Sequence, residues 1–149
     1  IRSIVVPVGG GGLICGLAAS LEELSVPIRI IGVQSVASAF AHALLTTGSQ
    51  AGVQEADSLA DGLAGEIDPG SITIPLMREY VDEIMLVNEA EIGQAVKYAW
   101  EKHHQRIEGS AAVGLAACLT GKIKERPCIV IITGGNIEPE IFTKLTQGS

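Results

Sequence analysis

The segment 4–16, IVVPVGGGGLICG, constrains the fold of this chain more than any other, because an apolar run leads through four consecutive glycines into a second apolar run. This pattern predicts a buried strand, a tight turn without Cβ atoms and the start of a helix. Several backbone N–H groups of such a turn can converge on one anion, and the helix start adds a partial positive charge. We therefore expect a phosphate-binding loop at residues 9–12, with a turn that binds nothing as the alternative.

Two common nucleotide-binding patterns fit this segment poorly. The dinucleotide fingerprint G-x-G-x-x-G requires a glycine where Ile14 or Cys15 stands. A Walker loop requires Gly-Lys followed by Ser or Thr, whereas Gly121 and Lys122 are followed by Ile123. A nucleotide-binding domain of the Rossmann type is therefore a disfavoured alternative.

Further apolar runs alternate with helical patterns, which is typical of a parallel sheet covered by helices on both faces. Strands are predicted over residues 3–8, 28–33, 83–87 and 128–132. Helices are predicted over residues 13–23, 37–45, 74–80 and 111–119, after Asn88 and from Pro139. The helix after Asn88 places Ile92, Val96, Ala99 and Trp100 on its apolar face. We expect one α/β domain over residues 1–149.

Residues 46–71 break the alternation, because they are rich in Gly, Ser and Asp and have no steady period. A connection of this length is uncommon unless it is mobile or functional. It contains the compact polar segment 58–62, SLADG. Ligands of parallel sheets bind beyond the carboxyl ends of the strands, where the glycine turns at 9–12 and 133–136 are both expected.

The composition argues against several classes of partner. The formal charge is −7 and no cluster of Lys and Arg stands out, which disfavours nucleic acid and anionic membranes. No apolar run approaches the roughly 18 residues that a membrane span requires. We therefore expect small-molecule ligands rather than nucleic acid or a membrane.

Cysteines and histidines do not form a recognisable site in the sequence. The three cysteines are widely spaced, which favours buried thiols in a reducing, cytoplasmic setting over a disulfide framework. The three histidines lack metal-ligand spacing and are expected to be solvated residues of helices. These residues are Cys15, Cys118, Cys128, His42, His103 and His104.

Three groups of residues occur in an order that identifies a family. They are residues 6–13 (VPVGGGGL), residues 58–62 (SLADG), and residues 108–111 (EGSA) with 132–137 (ITGGNI). Together they resemble the pyridoxal-phosphate enzymes of the tryptophan synthase β-like fold, called fold type II, and within it the serine and threonine dehydratases and serine racemases. The resemblance implies part of the large domain of such an enzyme, a three-layer αβα structure with a mostly parallel sheet.

The resemblance implies that pyridoxal 5′-phosphate is the cofactor, with its phosphate on the glycine turn. The implied cofactor-binding residues are Gly9, Gly10, Gly11, Gly12, Leu13, Asp61, Gly62, Glu108, Thr133 and Gly134. Thr133 matches the residue whose hydroxyl faces the pyridine nitrogen, which is usually a serine. Each polar candidate also has a structural alternative: Thr133 as a turn residue, Glu108 as an acid at a helix start and Asp61 as the acceptor of an Asx turn.

Two features of the family pattern are missing. The divalent-cation site of some members would need carboxylates where Gln34 and Phe40 stand, so we expect no metal. The Schiff-base lysine of the family lies in a Ser-x-Lys motif, and no lysine here has that context, so we expect no catalytic residue in this chain. The lysines in question are Lys97, Lys102, Lys122, Lys124 and Lys144.

The resemblance implies a fragment of a threonine or serine ammonia-lyase, which converts a hydroxy amino acid to a 2-oxo acid and ammonia. The chain begins at Ile1 and has methionine only at Met77 and Met85, so we expect a piece of a longer product that is inactive alone. A serine racemase fragment and a non-catalytic module that binds a phosphate ligand or a protein are the alternatives. Exposed sheet edges would favour a homo-oligomer.

Overall fold

The computed structural model describes residues 1–22 and 27–148, and over these ranges the chain is an α/β domain. Its strands are β1 (Ser3–Pro7), β2 (Arg29–Ser35), β3 (Glu83–Val87) and β4 (Cys128–Val130). Its α-helices are α1 (Gly12–Leu21), α2 (Phe40–Thr47), α3 (Thr73–Tyr80), α4 (Glu89–His103), α5 (Gly109–Leu119) and α6 (Pro139–Gln147). No helix in the described ranges combines the length and apolar character needed to cross a membrane.

The described strands form one parallel sheet in the order β3-β2-β1-β4. In the central pair, Ser3 of β1 lies opposite Arg29 of β2, and Pro7 lies opposite Val33. β1 is buried along its whole length, as expected of a strand that is covered on both faces. Because the strands are parallel, the segments that follow them all emerge at one edge of the sheet.

Helices cover both faces of the sheet and form two hydrophobic cores. Val5 of β1 packs with buried residues of α4 and α5, whereas its neighbours Ile4 and Val6 pack with residues of α1, α2 and α3. This alternation follows from the two-residue period of a β-strand. The expected three-layer αβα architecture with a parallel sheet is confirmed.

The helices and strands follow the predicted order, with small shifts at their ends. The predicted helix over 37–45 is divided into a 3₁₀ turn at Val36–Ser38 and α2. Ser35 caps the 3₁₀ turn, because its hydroxyl oxygen accepts the N–H of Ala37 at 3.0 Å. The predicted end of the first helix, Glu23, lies outside the described residues.

Two expectations about single side chains are wrong. Trp100 is 38% exposed rather than part of the buried face of α4, and its ring packs edge-on against Phe142 of α6 at a centroid distance of 5.4 Å. His42 is half-buried rather than solvated, and its Nδ1 lies 2.7 Å from the carbonyl oxygen of Ile84 in β3. Both contacts join a helix to a distant part of the chain, which local periodicity does not report.

Candidate functional site

The glycine turn between β1 and α1 is held in shape by α3. Gly11 adopts a φ of +87°, in the left-handed region that favours glycine. A Cβ on Gly11 would lie 2.9 Å from Sδ of Met77 and 3.1 Å from Cβ of Thr73. The hydroxyl of Thr73 donates a hydrogen bond to the carbonyl oxygen of Gly10 at 2.6 Å. The turn therefore rests on a helix that lies more than sixty residues away along the chain.

Gly10 and Gly12 face open space instead. Both are exposed, and a Cβ on either would meet no heavy atom of the described residues within 4 Å. α1 begins at Gly12, and within the described residues no side chain caps its start and no acid stands in its first turn. The first N–H groups of α1 are therefore free to bind an anion at the positive end of the helix. This open cradle of backbone fits the phosphate group that the predicted cofactor carries.

A cleft of about 250 Å³ opens over the glycine turn. Gly62 and Thr133 reach this cleft from separate segments, so most of the predicted cofactor-binding residues come together here. One wall is close to the turn, because a Cβ on Gly9 would lie 3.3 Å from Cα of Leu63. The lining residues are Pro7, Gly9, Gly10, Gly11, Gly12, Leu13, Gly62, Leu63 and Thr133. We call this space the glycine cleft.

A second cleft, of about 380 Å³, contains the acidic candidates Asp61 and Glu108. It adjoins the glycine cleft where Asp61 is followed by Gly62. Its five carboxylates favour a positively charged group, although no cluster of metal-ligating side chains occurs within residues 1–22 and 27–148. The lining residues are Asp57, Ser58, Leu59, Asp61, Glu89, Glu108, Gly109, Asn136, Ile137, Glu138 and Ile141. We call this space the acidic cleft.

Glu108 lies against the turn that follows Thr133. Its N–H donates to the carbonyl oxygen of Gly134 at 3.2 Å, and a Cβ on Gly134 would lie 2.5 Å from Oε1 of Glu108. Glu108 immediately precedes α5, but its side chain makes no capping hydrogen bond with that helix. Glycine at position 134 thus leaves room for the carboxylate, and the structure brings Glu108 and Gly134 together.

Asp61 is exposed and begins a short 3₁₀ helix, Asp61–Leu63. Its Oδ1 accepts the N–H of the next residue, Gly62, at 2.8 Å, whereas an Asx turn would bond to the residue two positions on. Gly62 packs on Ser110 of α5, whose Oγ would lie 2.8 Å from a Cβ at position 62. The buried Ser110 hydroxyl has no hydrogen-bond partner within the described part of the chain. Such an orphaned group can be satisfied by a ligand or a water molecule.

Glu89 is a site residue that sequence reasoning missed. Its Oε1 accepts hydrogen bonds from the hydroxyls of Ser35 at 2.6 Å and Ser58 at 2.8 Å, and its Oε2 accepts the N–H of Leu59 at 2.6 Å. Glu89 is the first residue of α4, so in the sequence it resembles an ordinary acid at a helix start. In the structure, its carboxylate holds the polar segment 58–62 at the carboxyl end of β2.

Gln34 occupies the position where the resemblance would require a metal-binding carboxylate. Its side chain is 1% exposed, and both ends of the amide are engaged. Nε2 donates to the carbonyl oxygen of Val8 at 3.1 Å, and Oε1 accepts the N–H of His42 at 2.9 Å. Gln34 therefore joins the end of β1 to α2.

Comparisons with known proteins show the family of this chain. The model of a family described as pyridoxal-phosphate dependent enzyme matches residues 1–134. An L-threonine ammonia-lyase of Geobacter sulfurreducens is 39% identical over 149 residues, which are 99% of this chain and 37% of that protein. The catabolic L-threonine dehydratase of Escherichia coli K12 is 36% identical, over 98% of this chain and 45% of its own length.

Solved structures show the same fold. The processed form of threonine deaminase isoform 2 from Solanum lycopersicum has a TM-score of 0.86 at 30% identity, over 99% of this chain and 44% of that one. Maize serine racemase has a TM-score of 0.85 at 29% identity, over 93% of this chain and 44% of that one. The chain spans less than half the length of these relatives. By its sequence and its fold, the chain belongs to the family of pyridoxal-phosphate dependent enzymes.

Proposed function

We propose that this chain forms the phosphate-binding side of the cofactor site in a pyridoxal-phosphate dependent threonine ammonia-lyase. The observation that carries the proposal is the glycine cleft, in which the start of α1, Gly62 and Thr133 meet. Relatives named threonine ammonia-lyase or threonine dehydratase are 36 to 39% identical to the chain. A serine racemase of Arabidopsis thaliana is less similar, at 32%.

The described residues have distinct roles in this proposal. The N–H groups of Gly12 and Leu13, together with the turn at Gly10, bind the phosphate at the positive end of α1. Thr133 offers a neutral hydroxyl to the pyridine nitrogen. When bound, pyridoxal phosphate would make the α-proton of an amino acid acidic, and loss of that proton to a base would supply the electron pair that expels a hydroxyl from the β-carbon. The carboxylate of Glu108 lies at the adjoining acidic cleft, which favours the ammonium group of an amino acid.

The lysine that reacts with the cofactor aldehyde is assigned to a part of the protein outside this chain. In the described ranges, no lysine lines the glycine cleft or the acidic cleft. The Lys122 amine is paired with Glu91, and the Lys124 amine donates to the carbonyl oxygen of Gly121. A reactive lysine must instead be desolvated beside the aldehyde. The chain alone is thus expected to bind the cofactor without converting threonine to a 2-oxo acid.

Phosphate recognition is tested with pyridoxine 5′-phosphate, which has no aldehyde and cannot react with lysine. In ¹H–¹⁵N spectra, we expect it to shift the amide signals of residues 9–13, and we expect pyridoxine to shift them far less. Gly12→Asp places a negative charge at the cradle and should weaken binding by about tenfold or more. Gly16→Asp is the matched control, because Gly16 is also exposed, lies in α1 and has open space at its Cβ.

Three outcomes would contradict the proposal. One is equal binding of pyridoxine 5′-phosphate to the chain and to its Gly12→Asp variant. Another is sustained release of ammonia from threonine by the purified 149-residue chain, which would place the complete catalytic machinery within it. An equal loss of binding in Gly12→Asp and Gly16→Asp would also count against the proposed cradle.

The reducing, cytoplasmic setting and the homo-oligomer also belong to this proposal. The three cysteines are free thiols, which suits a reducing compartment. Ile129 of the outer strand β4 is 42% exposed, and Ile132 beyond it is 45% exposed. Such an apolar edge favours contact with another copy of the chain. Sedimentation equilibrium should therefore show a species larger than the 15.5 kDa monomer, and a monomer at all concentrations would contradict self-association.

A further inference from the structure

Two of the three cysteines lie side by side. Cys118 is in the last turn of α5, and Cys128 is the first residue of β4. Their Sγ atoms are 3.8 Å apart although the residues are separated by ten positions in sequence. Both thiols are partly buried, whereas Cys15 is buried on the other face of the sheet, near the carbonyl oxygen of Thr73. The arrangement isolates one pair of thiols from the third.

We propose that Cys118 and Cys128 form a thiol pair that a low-molecular-weight disulfide, such as oxidised glutathione, converts to an intramolecular disulfide. Bond formation requires the sulfur atoms to approach from 3.8 Å to about 2.05 Å. β4 can allow this movement, because it has three residues and, in the described sheet, pairs only with β1. Neither the cofactor site nor the family assignment depends on this pair.

The exchange balances in two steps. The Cys128 thiol loses its proton and attacks one sulfur of the oxidant, which forms a mixed disulfide and releases the first small thiolate. The Cys118 thiol then loses its proton and attacks the Cys128 sulfur, which closes the protein disulfide and releases the second small thiolate. The two protons end on the two released thiols. The protein has lost two electrons, and the oxidant has gained them.

The surroundings of Cys118 favour this order. Burial, together with the neighbouring Cys128, raises the pKa of the Cys118 thiol to about 12, so it is protonated at neutral pH and is a poor first nucleophile. The guanidinium of Arg126 donates to the carbonyl oxygen of Cys118 at 2.7 Å, and its charge favours a thiolate at the second step. Cys128 on the outer strand is therefore the residue that meets the oxidant first.

The disulfide would link α5 to β4, and both elements are connected in sequence to residues of the proposed cofactor site. α5 begins beside Glu108, and the chain that follows β4 reaches Thr133. Joining the end of α5 to the start of β4 restrains the outer strand, so amide hydrogen exchange over residues 128–133 should slow in the oxidised chain. Residues 9–13, which are not linked by the new bond, provide the internal reference for that measurement.

The test treats the reduced 149-residue chain with excess oxidised glutathione and follows the intact mass and the free thiols. We expect a loss of two hydrogen masses, a fall from three free thiols to one, and a peptide that links Cys118 to Cys128. Cys118→Ser should stop at one glutathione on Cys128, because the second nucleophile is missing. Cys15→Ser should form the same disulfide as the unchanged chain.

Three results would overturn the proposal. In the first, the unchanged chain retains glutathione on Cys128 or on both residues as the final product. In the second, all three thiols remain free under conditions in which dithiothreitol is fully oxidised. In the third, the linked peptide contains Cys15. All three of these results are measured on the unchanged chain. A cysteine variant that fails to fold therefore does not prevent the test from deciding.

Discussion

The carbonyl oxygen of Leu59 lies so close to Cα of Gly109 that a Cβ at position 109 would overlap it. Leu59 belongs to the polar segment 58–62, and Gly109 is the first residue of α5. Through this contact, the segment 58–62 packs against the start of α5, and Gly62 lies beside Ser110. Leu59 and Gly109 line the acidic cleft, and Gly62 lines the glycine cleft, so this contact is the first property to test.

Gly109→Ala should destabilise the chain and disturb the close contact between position 109 and the backbone of Leu59. The new Cβ meets a backbone carbonyl that cannot rotate away, and overpacking of this kind costs about 2 kcal/mol or more. Gly16→Ala is the matched control, because that glycine lies in α1 with open space at its Cβ and alanine favours the helix. Urea unfolding measures both variants. An unchanged free energy of unfolding for Gly109→Ala would contradict the close approach.

Glu89→Ala should release the segment 58–62 from α4. The substitution leaves Ser35, Ser58 and the N–H of Leu59 without their shared acceptor, and hydrogen bonds to a charged group contribute about 1.5 to 3 kcal/mol. Hydrogen exchange should therefore accelerate at residues 58–62. Glu89→Gln should restore part of the protection, since an amide oxygen can accept the Leu59 N–H and hydroxyls can bond to either end of the amide.

The control for the Glu89→Ala variant is Glu101→Ala, a substitution on the same helix. Glu101 is about half exposed and lies 3.8 Å from Lys97, a surface pair that contributes less than about 1 kcal/mol. Exchange at residues 58–62 should be unchanged in this variant. Equal acceleration in both variants would show that loss of α4 stability, rather than loss of the Glu89 acceptor, frees the segment.

Gln34→Glu should destabilise the chain more as the pH rises. A buried carboxylate cannot donate to the carbonyl oxygen of Val8, and burial raises its pKa above the unfolded value. The protonated side chain can still donate, so stability is greatest at low pH and is lost as the pH rises through the folded pKa. We expect a loss of about 2 kcal/mol at pH 7. Gln34→Met, which carries no charge, should show a loss that does not change with pH.

Lys122→Met should lower the stability of the chain at neutral pH by weakening the start of α4. Unlike the effect of Gln34→Glu, this loss should become smaller as the pH falls. The Lys122 amine lies 2.6 and 2.7 Å from the two carboxylate oxygens of Glu91. Burial alone would raise the pKa of Glu91, but hydrogen bonds from Lys122 and the Asn88 backbone, with the Lys122 charge, lower it below its ordinary 4.5. The pair therefore contributes stability above that pH, and this contribution is lost as the pH falls through the folded pKa.

Thermal and urea unfolding between pH 3 and 7 would measure this contribution. Lys122→Met should lower the free energy of unfolding by about 1 kcal/mol at pH 7, and the difference from the unchanged chain should shrink in acid. Lys124→Met is the control, because the Lys124 amine donates to the nearby carbonyl oxygen of Gly121 rather than to a carboxylate of α4. A difference that grows in acid would contradict the assigned role of the Glu91 pair.

The order of strands and helices could be predicted from the sequence because each element carries a local signal. Apolar runs mark the buried strands, and Asn88 with Glu91 forms a capping box at the start of α4. The glycine turn was predictable for the same reason, since the strand, turn and helix are contiguous. The family resemblance then selected residues from separate segments that the structure places around two adjoining clefts.

Features that depend on distant contacts could not be predicted in the same way. Glu89 looks like any acid at a helix start until Ser58 and Leu59 are brought beside it. Cys118 and Cys128 become neighbours only through the pairing of β1 with β4 and the packing of α5 on the sheet. Periodicity describes one element at a time, so it is silent about side chains that meet between elements.

The glycine turn divides its residues between two tasks, and this division indicates how the loop could be re-engineered. Gly11 is confined by Met77 and by its own left-handed backbone, and Gly9 is confined by Leu63, so randomising either would first damage the protein itself. Gly10 and Gly12 carry no such restriction. A combinatorial library at these two positions should yield well-folded proteins that differ in the anions they accept, which would separate the evolution of ligand choice from the maintenance of the scaffold.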